Sequence, residues 1–519
     1  MILFVESIKM SSNDGAGARK TGIVLSYVYL AANLIVQLVY VPLLLSNIGQ
    51  EEYGLYQLVG SIMSYLVSIS GILSSGVGRY YCMYKAEGDS RMMENTLAIA
   101  KRMYWVISAI AALIVVAMIP AVRLVYQGSF SEEQLNECGV MMSLLAVNLI
   151  VSLNNTINNA AITANERFFF AKVLQLVTLV SQPFIVVGML NFYPKASVVV
   201  AVTLAMNIVS ALVQRFYARS VLSIKVTYHG WDTSLVKGLV SFSGAILLVT
   251  FADQIFWKTD QLIIGYMYGA ASVAVYSIGS SIYMNFMPVG STIASVFLPR
   301  VSQLLHRYHD FTAVSDLFIK VGRISFLLCS FVLGAFVIVG HLFISIWAGP
   351  EYEDAYYIAL VVMIPMLIDI CQNLGLTILQ VINKYHFRGY VYFSTSLVNI
   401  VLTVFMLRTC GLIGAALSTG IAMFIGNGLV MNWYYSKIGL KIRSFWLQIG
   451  KIAINSLISI GLGYIVFLSL SHYFSGILLI CLAFFAYGIL FLFISWRYSM
   501  NAYEKNILLS IAKKSHLTR

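Results

Sequence analysis

The sequence predicts an all-α polytopic membrane protein of about fourteen transmembrane helices, and three observations carry that expectation. Of 519 residues, 60% are hydrophobic and only 10% are charged, against roughly 25% charged in soluble domains. Mean hydropathy is +0.84. Apolar runs of about 20 residues, the length that crosses a bilayer core, recur from one end of the chain to the other. Basic residues alternate between successive connections, as they do when cytoplasmic loops hold the positive excess. With 33 basic and 21 acidic residues, no water-facing surface for a chain of this size can be assembled. A soluble enzyme, a secreted disulfide scaffold and a disordered protein are excluded, and the net charge of +12 does not point to nucleic acid. The six cysteines have no metal-binding spacing.

The expected spans, in order, are 21–47, 55–77, 103–127, 138–162, 168–192, 196–221, 238–265, 272–298, 323–348, 356–382, 389–407, 411–434, 446–470 and 475–497. Connections are short. The two longest, 78–102 and 299–322, are basic and amphipathic and read as interfacial helices. With the N-terminus inside, 29 of the 33 bases fall on inside segments and only Arg123, Lys195 and Arg408 fall outside. Lys258 remains within a span. Both termini are therefore expected on the cytoplasmic side. The outer connections are acidic (Glu51, Glu52, Glu132, Glu133, Glu137, Glu351, Glu353, Asp354), which reads first as solvation of loop tips.

An internal repeat divides the chain. Residues 52–62, EYGLYQLVGSI, and 272–282, SVAVYSIGSSI, both open a span after a short outer turn, at an offset of 220. Under it Tyr56 meets Tyr276 and Gly49 meets Gly269. A weaker echo at offset 218 sets Asn165 against Asn383. The expected organisation is a cytoplasmic tail 1–20, a six-helix half 21–221, a second half 238–434, two additional helices 446–497 and a cytoplasmic tail 498–519. An even number of spans per half makes the halves parallel repeats, an arrangement that transporters use around a midplane site.

Charges at bilayer depth cost about 2.5–3.5 kcal/mol each on insertion scales, so those that persist are informative. Only Asp253, Asp260 and Asp369 among the acids, and Lys258 among the bases, lie within spans. Asp253 and Asp260 are seven apart and share a helix face. Lys258 stands about 140° around from Asp253, so it does not neutralise either acid along one helix. It either snorkels to the outer interface, with Asp260 in the polar boundary, or presents a positive charge to an anionic substrate. In the tenth span Asp369, Gln372, Asn373, Thr377 and Gln380 fall on one face, with Pro365 permitting a kink. In the fourth, Asn148, Asn155 and Asn159 share a face. Such stripes are either interhelical hydrogen-bonding groups or the wall of a hydrated cavity. Catalytic motifs such as HExxH, GxSxG and a Walker lysine loop are missing. His306 and His309 sit in a basic inner connection and read as solvated.

Several of these segments resemble the polysaccharide flippases of the Wzx type, in the superfamily that also holds the multidrug-extrusion (MATE) transporters and lipid II flippases. Gly49-Gln-Glu-Glu-Tyr-Gly54-Leu-Tyr56 is similar to the family's G-x-x-x-[FY]-G-x-[FY] turn. Gly76-Val-Gly78-Arg79-Tyr80-Tyr81 resembles its cytoplasmic Arg-aromatic ending. Asp260-Gln-Leu-Ile-Ile-Gly265, with Gly269 and Val275-Tyr276, resembles its D-x-x-[IL]-[IL]-G segment. At Ala274-Val275 the chain departs from a glycine common there.

The resemblance implies transport without catalysis, in the bacterial inner membrane. It implies passage of an undecaprenyl-diphosphate-linked oligosaccharide from the cytoplasmic to the periplasmic leaflet, for O-antigen or capsule. In that reading Lys258 and Arg79 attract the diphosphate, and Asn155, Asn159, Gln372 and Asn373 bind sugars. Asp253, Asp260 or Asp369 takes a coupling ion, proton or sodium, and no other cofactor is expected. Membrane lipid and polysaccharide polymerase or assembly proteins are the implied partners. The alternative is a cation-coupled multidrug antiporter of the same fold.

Overall fold

The computed structural model of the chain describes residues 15–307, 310–506 and 509. Much of both expected tails, His309 and the His306 side chain lie outside the described residues. Among the described residues the chain is helical almost throughout, with no strand. The helices are α1 (Gly15–Glu87), α2 (Ser90–Tyr126), α3 (Glu132–Ala164), α4 (Phe168–Leu190), α5 (Ala196–Phe216), α6 (Thr233–Val296) and α7 (Leu298–Ser302). They continue as α8 (Phe311–Trp347), α9 (Asp354–Cys371), α10 (Asn373–Val381), α11 (His386–Cys410), α12 (Ile413–Met423), α13 (Met431–Lys437), α14 (Ile442–Ser471) and α15 (Gly476–Ile494). Twelve helical stretches are long and apolar enough to cross a membrane. Large apolar side chains stand on their outer faces, Leu113 at 68% exposure among them, an exposure that only a lipid surround makes tolerable.

Two of the twelve, Val28–Ser68 in α1 and Thr250–Ala294 in α6, are each broken once. The breaks are Gly49 (φ 77°, ψ 176°) and Gly269 (φ 80°, ψ −179°). This is backbone that essentially only glycine adopts, and the two glycines are the pair matched by the repeat. Each break divides one apolar stretch into two arms, where the sequence reading placed two spans.

The weaker echo is also present, shifted by one residue. α3 ends with Asn165, Glu166 and Arg167 donating to Ala161, Thr163 and Ile162. α10 ends with Ile382, Asn383 and Lys384 donating to Ile378, Gln380 and Leu379. The positive-φ residues are Glu166 and Asn383, both at 56°, so the equivalence runs at offset 217 rather than 218. Both ends are Schellman-type closures that satisfy the last carbonyls. Residue identity paired Asn165 with Asn383, but here Glu166 takes the positive-φ position.

Of the two interfacial helices expected at 78–102 and 299–322, the first is absent as a separate element, and the second is reduced to α7 and its continuation Gln303–Arg307, with residues 311–322 taken into α8. Residues 78–87 continue α1, and α2 starts at Ser90 after a turn at Gly88 (φ 74°). Asp89 caps it by accepting from the Met92 N–H at 2.9 Å. α8 likewise begins at Phe311, capped by Asp310 through the Ala313 N–H at 2.8 Å. Helix continuation is cheap once a helix is nucleated, so a polar surface stretch adjoining a span extends it.

The outer acids do more than solvate loop tips. Glu52 accepts from the Ala196 N–H and Glu137 from the Ser197 N–H, both at 2.8 Å. Two carboxylates borrowed from α1 and α3 thus cap the positive N-terminus of α5, and Glu137 is only 7% exposed. Ser131 and Gln134 form a reciprocal capping box on α3, and Gln134 donates to Glu51 at 2.8 Å.

Packing divides the chain into two compact units, Met1–Ala274 and Val275–Arg519. The first arm of α6 lies in the first unit, although the sequence repeat groups it with the second half. Within the second unit, α14 and α15 pack on α8: Phe445 lies 4.7 Å from Phe318, and Tyr487 stacks on Phe331 at 5.5 Å. There Arg323 and Glu504 form a buried bidentate pair, at 2.6 and 2.9 Å, and Arg323 also donates to the Ser499 carbonyl.

Candidate functional site

In the first unit, α6 presents Asp253, Lys258 and Asp260 along one arm. The segment is stitched to α1: the Thr259 and Tyr65 hydroxyls are 2.8 Å apart, and Ser61 donates to Gln261. Tyr126 on α2 donates to the Leu262 carbonyl at 3.0 Å. Asp260 is 1% exposed and acts electrostatically on Tyr65. It is enclosed by protein rather than set in a polar boundary. Asp253 and Lys258 are half-buried. Arg79, near the end of α1, is exposed.

The α3 amides are largely interhelical. Asn207 on α5 donates to Asn148 at 2.9 Å, Asn155 donates to Gln214 at 3.2 Å, and Asn158 donates to Asn155 at 3.1 Å. Asn159 is half-buried on the same helix. Asn154, Asn155 and Asn158 also line a cavity of about 460 Å³ together with Lys101, Arg215 and Arg219. Sequence reading assigned those three bases only to topology, and it had no periodicity by which to group them.

In the second unit the polar stripe expected on one unbroken helix is split. α9 runs through Pro365 and ends at Cys371; Gln372 (φ −94°, ψ 3°) is the junction, and α10 restarts at Asn373. The Gly375 N–H bonds to the Gln372 carbonyl at 2.7 Å, a tight turn that re-aims the residues after it. Proline permits a kink but loses one backbone bond only, and here the helix tolerates it. The consequence separates two residues read together. Asn373 lines a cavity of about 210 Å³ with Thr377, Gln380 and Arg388, whereas Gln372 is 3% exposed with its Nε2 unpartnered.

Arg388 was not anticipated. Its guanidinium donates to the Tyr385 hydroxyl at 2.9 Å, lies 4.9 Å over the Tyr392 ring and attracts the half-buried Asp369 carboxylate. Sequence reading left it in an inner connection because nothing in its local pattern tells a loop arginine from one turned inward at the start of α11.

Buried or half-buried charge inside apolar helices, and separate cavities lined by amides and bases, fit a route for polar cargo better than a catalytic centre. The family model for polysaccharide biosynthesis proteins matches residues 47–357, well over half of the chain. The chain belongs to that family. A protein of Shigella flexneri described as "Putative O-antigen transporter" is 21% identical over 395 residues, covering 76% of this chain and 91% of that one. Among solved structures, lipid II flippase MurJ in an inward closed conformation superposes with a TM-score of 0.72 at 14% identity, over 91% of this chain and 98% of that one. An inward-facing multidrug resistance MATE transporter gives 0.64 at 11% identity, over 82% and 98%. These likenesses show the fold. Family and fold together make the chain a multi-pass membrane protein of a polysaccharide biosynthesis family.

Proposed function

We propose that the chain carries an undecaprenyl-diphosphate-linked oligosaccharide from the cytoplasmic to the periplasmic leaflet of the bacterial inner membrane, by alternating access. The family match across 47–357 carries the reading. The name of the Shigella flexneri relative supports a glycan destined for the cell surface, and the fold shared with a lipid II flippase suits a carrier lipid bearing a polar head. Both termini lie in the cytoplasm, since the basic residues fall on the segments that orientation places inside. Lys258 and Arg79 attract the diphosphate. Asn155, Asn159 and Asn373 meet the sugars, joined by Arg388 at the Asn373 cavity, whereas Gln372, enclosed behind the turn, does not line that cavity. Asp253, Asp260 and Asp369 are the candidate coupling acids for a proton or sodium ion. Polymerase and assembly proteins receive the product.

The deciding experiment is the leaflet distribution of polyprenyl-diphosphate-linked glycan in cells with and without the protein. Accumulation on the cytoplasmic side upon deletion, with loss of the surface polymer, is expected. An unchanged distribution, accompanied by increased sensitivity to cationic dyes, overturns the reading in favour of the cation-coupled multidrug antiporter.

A further inference from the structure

The cavity of the first unit has a chemistry of its own. It is a groove floored by α3 and walled by α2 on one side and α5 with the turn after it on the other. Lys101, Arg215 and Arg219 converge on it. Among the described residues none of the three forms an ion pair, whereas Arg102, next to Lys101, is held over the Tyr228 ring at 3.4 Å, and Glu94, one helical turn or two away, is taken by His229 at 3.1 Å. Arg215 and Arg219, four residues apart, repel each other unless an anion lies between them.

The second observation is an unpartnered acceptor. Asn154 donates to the Ile150 carbonyl at 2.8 Å and to Ser108 at 3.2 Å, but its buried Oδ1 has no partner. A phosphate cannot satisfy an acceptor; a hydroxyl can. The third is the wall: Trp105 and Leu212 line the groove at 54% and 60% exposure. That is a track for acyl chains.

We propose that this groove binds an anionic phospholipid whose headgroup carries hydroxyls, phosphatidylglycerol being the simplest, with the phosphate on the three bases and a headgroup hydroxyl donating to Asn154. A cavity of about 460 Å³ suits a phosphoglycerol head, whereas the repeat-unit glycan of a carrier lipid overfills it. Asn155 of the groove lining also belongs to the transport reading, but the contacts proposed here, on Lys101, Arg215, Arg219 and Asn154, use no residue assigned to transport, so the two readings fail separately.

The test is a native mass spectrometry titration of detergent-purified full-length protein with phosphatidylglycerol, phosphatidic acid and phosphatidylcholine. The wild type should retain phosphatidylglycerol in preference to phosphatidylcholine. At about 1 kcal/mol per base, Lys101→Gln/Arg215→Gln/Arg219→Gln should weaken phosphatidylglycerol binding by roughly a hundredfold, while Arg215→Lys/Arg219→Lys should keep it. Asn154→Leu should erase the preference for phosphatidylglycerol over phosphatidic acid and leave phosphatidic acid binding intact, which keeps the proposal testable even where the triple variant misfolds. Equal binding of phosphatidylcholine, or wild-type binding by a folded triple variant, overturns it. So does displacement of phosphatidylglycerol by equimolar undecaprenyl diphosphate, which would give the groove to the carrier lipid.

Discussion

Gly49 and Gly269 hold the same backbone conformation in two different helices of the first unit, and each divides one apolar stretch into two. At Gly49 a Cβ would meet nothing within 4 Å, so the requirement is one of dihedral angle alone. Alanine at either position should cost about 1–3 kcal/mol, read as a lowered melting temperature of the purified protein. Gly54 differs in kind: a Cβ there would come within 1.9 Å of the Ala270 carbonyl oxygen, a close approach of two backbones. The glycines of the recognised turn motif thus have two separate physical reasons, and only spacing connects them in the sequence. Arg388 shows the opposite limit. Whether an arginine at a helix start reaches solvent or turns toward Asp369 depends on which helices face it, which no local pattern states.

At the scale of an element, the ends of helices decide more than their interiors. Asp232 opens α6, accepting from the Ser234 hydroxyl at 2.7 Å and from the Leu235 and Ser234 N–H groups. The Ser234 hydroxyl foremost, then those N–H donors, hold its carboxyl below the ordinary range. A depressed native pKa means that the cap stabilises above the unfolded carboxyl value and is lost as pH falls through the native one. Hydrogen exchange at residues 233–237 should therefore accelerate below about pH 4, and Asp232→Ala, which costs about 1 kcal/mol, should remove that pH dependence. The Arg323–Glu504 pair fastens the segment after α15 to α8. Glu504→Gln leaves a buried guanidinium without its counter-ion, and about 3–5 kcal/mol of destabilisation is expected. Arg323→Met/Glu504→Leu should cost far less, because it removes both charges together. Thermal unfolding of the two variants against the wild type distinguishes an electrostatic clamp from simple packing. The existence of the apolar spans was legible, since twenty apolar residues in lipid have no alternative to a helix, but several of their ends lie more than ten residues from the expected ones, as Ser90 against 103 and Phe311 against 323. The break at Gln372 was not, because a turn inside an apolar run leaves hydropathy unchanged.

For the whole molecule, the consequential charges are those in apolar helices. Lys258→Ala and Asp369→Asn should each lower surface polysaccharide without preventing membrane insertion. If each breaks a link between sites, a loss in the range of 5- to 150-fold is expected, the span of a typical coupling energy of about 1–3 kcal/mol. Arg388→Ala should fall in the same range, since it leaves Asp369 without its attracting cation. Quantifying surface polymer against the amount of each variant in the membrane checks all three, and wild-type export by the Lys258 and Asp369 variants removes both from the transport route.

The sequence by itself determined that the chain is an all-helical membrane protein and that Gly49 and Gly269 are matching positions. Those properties follow from local composition and from glycines whose backbone no other residue adopts. Only the tertiary structure decided that Asp260 is enclosed, that Glu52 and Glu137 cap α5, that Arg388 faces Asp369 and that Lys101, Arg215 and Arg219 share one groove. Each of these is a meeting of residues far apart in the chain. A helical period states which face a residue occupies, but not which helix that face will meet.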